Sequence, residues 1–150
     1  MGLFNRKFGK KQTPSVQQPT TGLIDDIRAS TRWVILALLS SGYKADLTVE
    51  SMREIDRFFD EQNTPDGILS KNRGTILFSL GCYIGETIIN NFGGCWITDD
   101  NDPQGEMNIA VKLLDGTTLF PVQRCMKRYQ NGMEDSIYAY VYALHNRSGL

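Results

Sequence analysis

The apolar positions along this chain change their spacing more than once, and each change marks an element. From Leu23 onward, Ile24, Ile27, Thr31, Val34, Ile35 and Leu38 recur in steps of three and four, which predicts a helix closed by Gly42. Asp25 and Asp26 fall in its first turn, where the positive end of the helix dipole favours acids. A second helix is expected after Thr48, a good N-cap flanked by Leu47 and Met52 at the spacing of a hydrophobic staple. Val49, Met52, Ile55 and Phe59 line its apolar face. Asp56, Asp60 and Glu61 read as the solvated face, with Arg57 and Glu61 as an i,i+4 pair. Thr64-Pro65-Asp66-Gly67 has the chemistry of a tight turn, so this helix ends by about Asn63.

Between Arg73 and Phe92 the polar face all but disappears, because Ile76, Leu77, Phe78, Leu80, Tyr83, Ile84, Ile88 and Ile89 point every way round. A helix apolar on all sides belongs at the centre of a molecule. Gly81 and Gly85, four apart on one side of it, cost helix propensity and predict the close approach of another element. After Gly93-Gly94 the period becomes that of strands, over residues 95–98, 107–114 and 117–120, with Asp115-Gly116 as a two-residue hairpin signal. These form an antiparallel meander. Pro121 then heads a helix whose Val122, Cys125, Met126 and Tyr129 make an apolar stripe opposite Arg124, Lys127 and Arg128. Residues 134–145 fit a helix through Ile137, Tyr140, Val141 and Leu144, or a strand through Tyr138, Tyr140 and Tyr142. Glu134 and Asp135 at the head favour the helix.

The expected fold is therefore α+β: three N-terminal helices, a three-stranded antiparallel meander, then two C-terminal helices, around a central buried helix. A chain of 150 residues that is 41% hydrophobic can build such a core as one domain over residues 23–150. It has no apolar run of eighteen residues and no signal-peptide pattern at its start, which points to the cytoplasm. Cys82, Cys95 and Cys125 are odd in number and lack a C-x-x-C pair, so reduced thiols acting as small apolar groups are expected.

Charge divides the chain unevenly. Arg6, Lys7, Lys10 and Lys11 give residues 1–22 a charge of +4 with no acid, and the rest carries twelve bases against seventeen acids, about −5. An acidic body argues against nucleic acid as a partner, since phosphate neutralisation needs a basic face. The Thr-, Pro- and Gln-rich tail cannot bury enough surface to offset chain entropy, so disorder is expected over residues 1–22. Leu3, Phe4 and Phe8 interleave with those bases, a pattern that allows weak contact with an anionic membrane or a partner.

Glu86 is the one charged side chain between Arg73 and Asp99, and it lies on the helix expected to be buried. Such a carboxylate must be protonated, paired or turned to a cleft. Lys127, Arg128 and Arg124 are its expected partners. The loop containing Asp100, Asp102, Gln104 and Gly105 resembles the start of a calcium loop, but Val111 stands where a bidentate Glu belongs, so a solvated loop is expected. His145 has no accompanying nucleophile motif, and no phosphate-binding glycine loop is present. No catalytic residue beyond the candidate Glu86, no metal and no cofactor is assigned.

The stretch LGCYIGETIINNFGGCWI, followed by a hairpin and LFPVQRCMKRYQNGMEDSI, resembles a group of bacterial domains of unknown function. They share a Gly-bearing helix ending in Gly-Glu, a tryptophan strand and a Pro-headed helix with Lys-Arg. The likeness covers about the last half of the chain. It implies a bacterial cytoplasmic protein from a family without an established activity, and it points to Gly81, Gly85, Glu86, Trp96, Pro121, Lys127 and Arg128. The leading expectation is a non-enzymatic protein-binding domain of the immunity or adaptor type, with Glu86, Trp96, Arg124, Lys127 and Arg128 as binding residues. The alternatives are a small enzyme in which Glu86 is a tuned carboxylate and Lys127 or Arg128 binds an anionic substrate, and a peripheral membrane adaptor using residues 3–11.

Overall fold

Helix α1 (Leu23–Ser40) starts where the Leu23 N–H donates to Asp100 Oδ1 at 2.9 Å, in a computed structural model that describes residues 22–147. The tail expected over residues 1–22 lies, except for Gly22, outside the described residues. Ile27, Thr31, Val34 and Leu38 are buried at the predicted spacing. Gly42, with φ of 93°, turns the chain so that the Tyr43 N–H reaches the Leu38 carbonyl at 2.9 Å. Thr48 then caps as expected, its hydroxyl accepting from the Ser51 N–H, and a short 3₁₀ turn leads into α2 (Met52–Gln62).

Helix α3 (Arg73–Phe92) is the predicted central rod, with Ile76, Leu80, Tyr83, Ile84 and Ile88 all at or within 1% of complete burial. The glycines do what their spacing suggested. A Cβ on Gly81 would lie 2.9 Å from Val122 Cα, and one on Gly85 would collide with the edge of the Trp96 ring. Val122 belongs to α4 (Pro121–Asn131), and Trp96 to strand β1 (Cys95–Ile97). At the other end of the pair, Arg73 Nη1 donates to the Tyr129 hydroxyl at 2.6 Å. Gly81 meeting Val122 and Arg73 meeting Tyr129 means that α4 runs antiparallel to α3.

The meander is present and shorter than expected. Strand β2 (Ala110–Lys112) pairs Trp96 with Val111 on one side, and strand β3 (Thr118–Leu119) pairs with Val111 and Lys112 on the other. Residues 107–109 do not join the strand. The Met107 and Asn108 N–H groups bond back to Gln104, and the Asn108 amide donates to Asp102 at 2.9 Å, so local turns take the groups a ladder would need. The hairpin also differs. Leu113 pairs with Thr117 across Leu114, Asp115 and Gly116, a three-residue loop with Gly116 at φ of 91°. The last segment is helical, as α5 (Ile137–Tyr142), but its cap is the Ser136 hydroxyl, which accepts from the Ala139 N–H at 3.1 Å. Glu134 and Asp135 sit in the 3₁₀ turn before it.

The fold is α+β: among the described residues there are five α-helices and one three-stranded antiparallel sheet, with α1, α4 and the sheet against α3 and with α5 against α2. No helix among the described residues is long and apolar enough to cross a membrane. Gly81→Ala sets a helix-propensity gain of about 1 kcal/mol against a backbone contact that cannot relax by a rotamer change. The contact wins: urea unfolding is expected to show a net loss of about 1–3 kcal/mol, whereas a variant at least as stable as the parent would contradict the close crossing.

Candidate functional site

Glu86 is half-buried, and its partner is not a cation. The Trp96 indole Nε1 donates to Glu86 Oε2 at 2.8 Å, on the same ring that covers Gly85. The expected pairing with Arg124, Lys127 or Arg128 does not form, and the antiparallel helix pair is the reason. From the Gly81–Val122 contact, Glu86 lies five residues on toward one end of α3, and Arg128 six residues on toward the other. At 1.5 Å per residue that separates them by roughly 16 Å along the axes.

Arg128, placed by the sequence on the polar face of α4, is instead 2% exposed. Its Nε donates to Asp56 Oδ1 at 2.8 Å, and its Nη2 to Asp60 Oδ1 at 2.8 Å and to the Asp56 carbonyl at 3.1 Å. Burial works against the charge, but the hydrogen bonds to Asp60 and Asp56 outweigh it and hold the guanidinium above its ordinary pKa. Asp56, also expected in solvent, is buried on α2. Besides Arg128 it accepts from the Ser136 hydroxyl at 2.8 Å, the Ile137 N–H at 2.9 Å and the Tyr138 N–H at 3.0 Å. One carboxylate therefore joins α2 to α4 and caps the N-terminus of α5.

The other basic candidates diverge. Arg124 bonds Asp135 at 3.1 Å and lies 4.1 Å over the Tyr140 ring, while Lys127 is exposed. His145 packs its ring 5.0 Å from Phe92 and contacts the Tyr142 carbonyl. Cys82 and Cys125 are buried and their thiols are pushed up by burial, but Cys95 is exposed on β1, so only two of the three behave as apolar groups. The tail candidates Leu3, Phe4, Arg6, Lys7, Phe8, Lys10 and Lys11 lie outside the described residues.

What the sequence did not single out is the outer face of the sheet. Trp96, Val111 and Leu119 share one register level, with Val111 buried and Trp96 turned onto α3. Of the alternate residues, Cys95, Lys112 and Thr118 are exposed, while Ala110 is buried. Ile97 is 47% exposed opposite Ala110, and continuing the β2–β3 register by one residue brings Phe120, 41% exposed, to the other side of Ala110. Met107, also exposed, stands at the same end, its carbonyl held by Gln123 in the first turn of α4. The acidic loop 99–106 follows β1 and, with Leu23 and Met107, lines an open surface cleft of about 470 Å³. Within the loop, Asp102 is held below the usual carboxylate range by the Asn108 amide and the Gln104 N–H.

The buried Asp56 clamp and the exposed acid beside it predict losses of different size. Asp56→Ala leaves a buried guanidinium and the α5 terminus without their acceptor, for a loss of about 3–5 kcal/mol. Asp60→Ala removes a partner that is 57% exposed, for about 1 kcal/mol or less. Thermal unfolding of the two variants should separate them clearly, and equal losses would contradict the clamp. Compared with family models, curated proteins and solved structures, the chain matches none.

Proposed function

We propose that this chain is a non-enzymatic protein-binding domain of the adaptor or immunity type, acting in the bacterial cytoplasm, and that its contact surface is the outer face of the sheet. The observation that carries this reading is the exposed pair Ile97 and Phe120, set across Ala110, with the acidic loop 99–106 following β1. Large apolar side chains supply area at the middle of a contact, and charges at its rim steer and orient the partner. A partner segment that is itself apolar and basic fits both parts.

Three of the charged residues that would have served an enzyme are engaged in holding the fold, and Lys127 is exposed. Arg128 is buried against Asp56, Arg124 bonds Asp135, and Glu86 receives the Trp96 indole. An anionic substrate bound beside a tuned Glu86 would need Lys127 or Arg128 near that carboxylate. Arg128 lies about three helical turns away, a distance that gives the enzyme reading no support.

Capture from the native bacterial cell tests the binding reading. The parent chain is expected to retain a stoichiometric protein partner, and an Ile97→Lys/Phe120→Lys variant to lose at least tenfold of it while its unfolding temperature stays unchanged. Equal recovery by the two chains, or no partner with either, would overturn it.

A further inference from the structure

We propose that two copies of this chain join their sheets along β1, antiparallel about a two-fold axis at Trp96. This goes beyond the reading of the outer face as a contact surface and does not depend on it. The Leu113 N–H reaches the Thr117 carbonyl at 2.8 Å, so Leu113, and by alternation Val111, turns its backbone groups to β3. Ala110 and Lys112 therefore turn theirs to β1, where they meet Ile97 and Cys95. That leaves the N–H and carbonyl of Trp96 pointing away from β2. No hydrogen bond joins either to another described residue, and no described element besides β2 lies alongside β1.

The two edges of the sheet differ. Beside β3, Arg147 bonds Asp115 and the Thr117 hydroxyl, so the C-terminal turn stands against the start of that strand. Strand β1 reads Cys-Trp-Ile, with no charge, proline or bulge to turn a second strand away. An edge with one donor and one acceptor is its own complement when run antiparallel, because Trp96 of each copy donates to and accepts from Trp96 of the other. Charge agrees with that axis. Asp99 stands three residues past Trp96 in each copy, so the two acids lie roughly 20 Å apart, about twice the Debye length at 0.1 M salt. Lys112, exposed beside Cys95, stands at the end of the pair where the other copy's Asp99 and Asp100 lie. Exposed Ile97 gains the other copy's Cys95 as its neighbour across the axis, and the two outer faces become one.

A three-residue edge buries much less than the roughly 1,600 Å² of a standard interface, so the association is weak, with a Kd in the micromolar range. Sedimentation equilibrium of the full chain is expected to pass from the mass of one chain to that of two as the concentration rises to about 1 mM. Cys95→Glu sets an acid beside Lys112 within the chain but a charge against the second copy's Ile97. Its Kd should rise at least tenfold while its unfolding temperature stays unchanged. Mixing the parent with an Ile97→Cys/Cys95→Ser chain sets one thiol of each directly opposite the other. Oxidised glutathione, which takes up the two electrons and two protons as the thiols close, should then give mixed disulfides at least fivefold above those between identical chains, whose thiols lie about 7–8 Å apart on the diagonal. A mass of one chain at every concentration overturns the proposal. So does a dimer indifferent to Cys95→Glu, or a mixed disulfide no more frequent than the others. These measurements use purified protein alone, so they fail or succeed independently of partner capture.

Discussion

The rest of the molecule depends on how closely α4 approaches α3. Gly81 has no side chain, so Val122 sits against the backbone of the central rod, and that crossing is kept only while Gly81 stays opposite Val122. The antiparallel direction, marked by Arg73 on Tyr129, decides where every later charge falls. One end of α4 brings Gln123 to the loop before β2, and the other carries Arg128 to α2. Gly85, one turn beyond Gly81, repeats the device for the sheet by admitting the Trp96 ring.

That geometry settles two desolvation problems separately. The acid on the central rod is met by a neutral indole N–H and keeps part of its surface in solvent, so it needs no cation. The cation of α4 enters the interior because three groups wait for it there, both carboxylates and a carbonyl of α2. A buried pair of this kind contributes little net stability compared with apolar packing, yet removal of either partner leaves a charge stranded. Asp56 gains further from the start of α5, where three donors converge on it and hold the C-terminal segment in register.

The sequence was most legible where periodicity and local chemistry agreed. The bounds of α3, the Thr48 cap, Pro121 at the head of α4 and the role of the paired glycines could all be read from residue spacing. Strand lengths were not, because Asp102, Gln104 and Asn108 draw the chain into turns whose bonds no alternation pattern reveals. Partner choice was not legible either. Glu86 and Arg128 look complementary in a linear chain, and only the helix direction parts them. A signal for the true pair was present: Asp56 stands four residues after Met52 and three before Phe59, inside the apolar arc, and Arg128 stands three after Cys125. The outer sheet face went unread because a single Ile and a single Phe, twenty-three positions apart, become neighbours only through the strand register.

The same separation keeps Glu86 and Arg128 at opposite ends of the α3–α4 pair. A double-mutant cycle tests that division directly. Coupling between Asp56→Asn and Arg128→Met is expected to exceed about 1 kcal/mol in urea unfolding, while coupling between Glu86→Gln and Arg128→Met stays within about 0.5 kcal/mol of zero. Strong coupling between Glu86 and Arg128, with none between Asp56 and Arg128, would contradict the account.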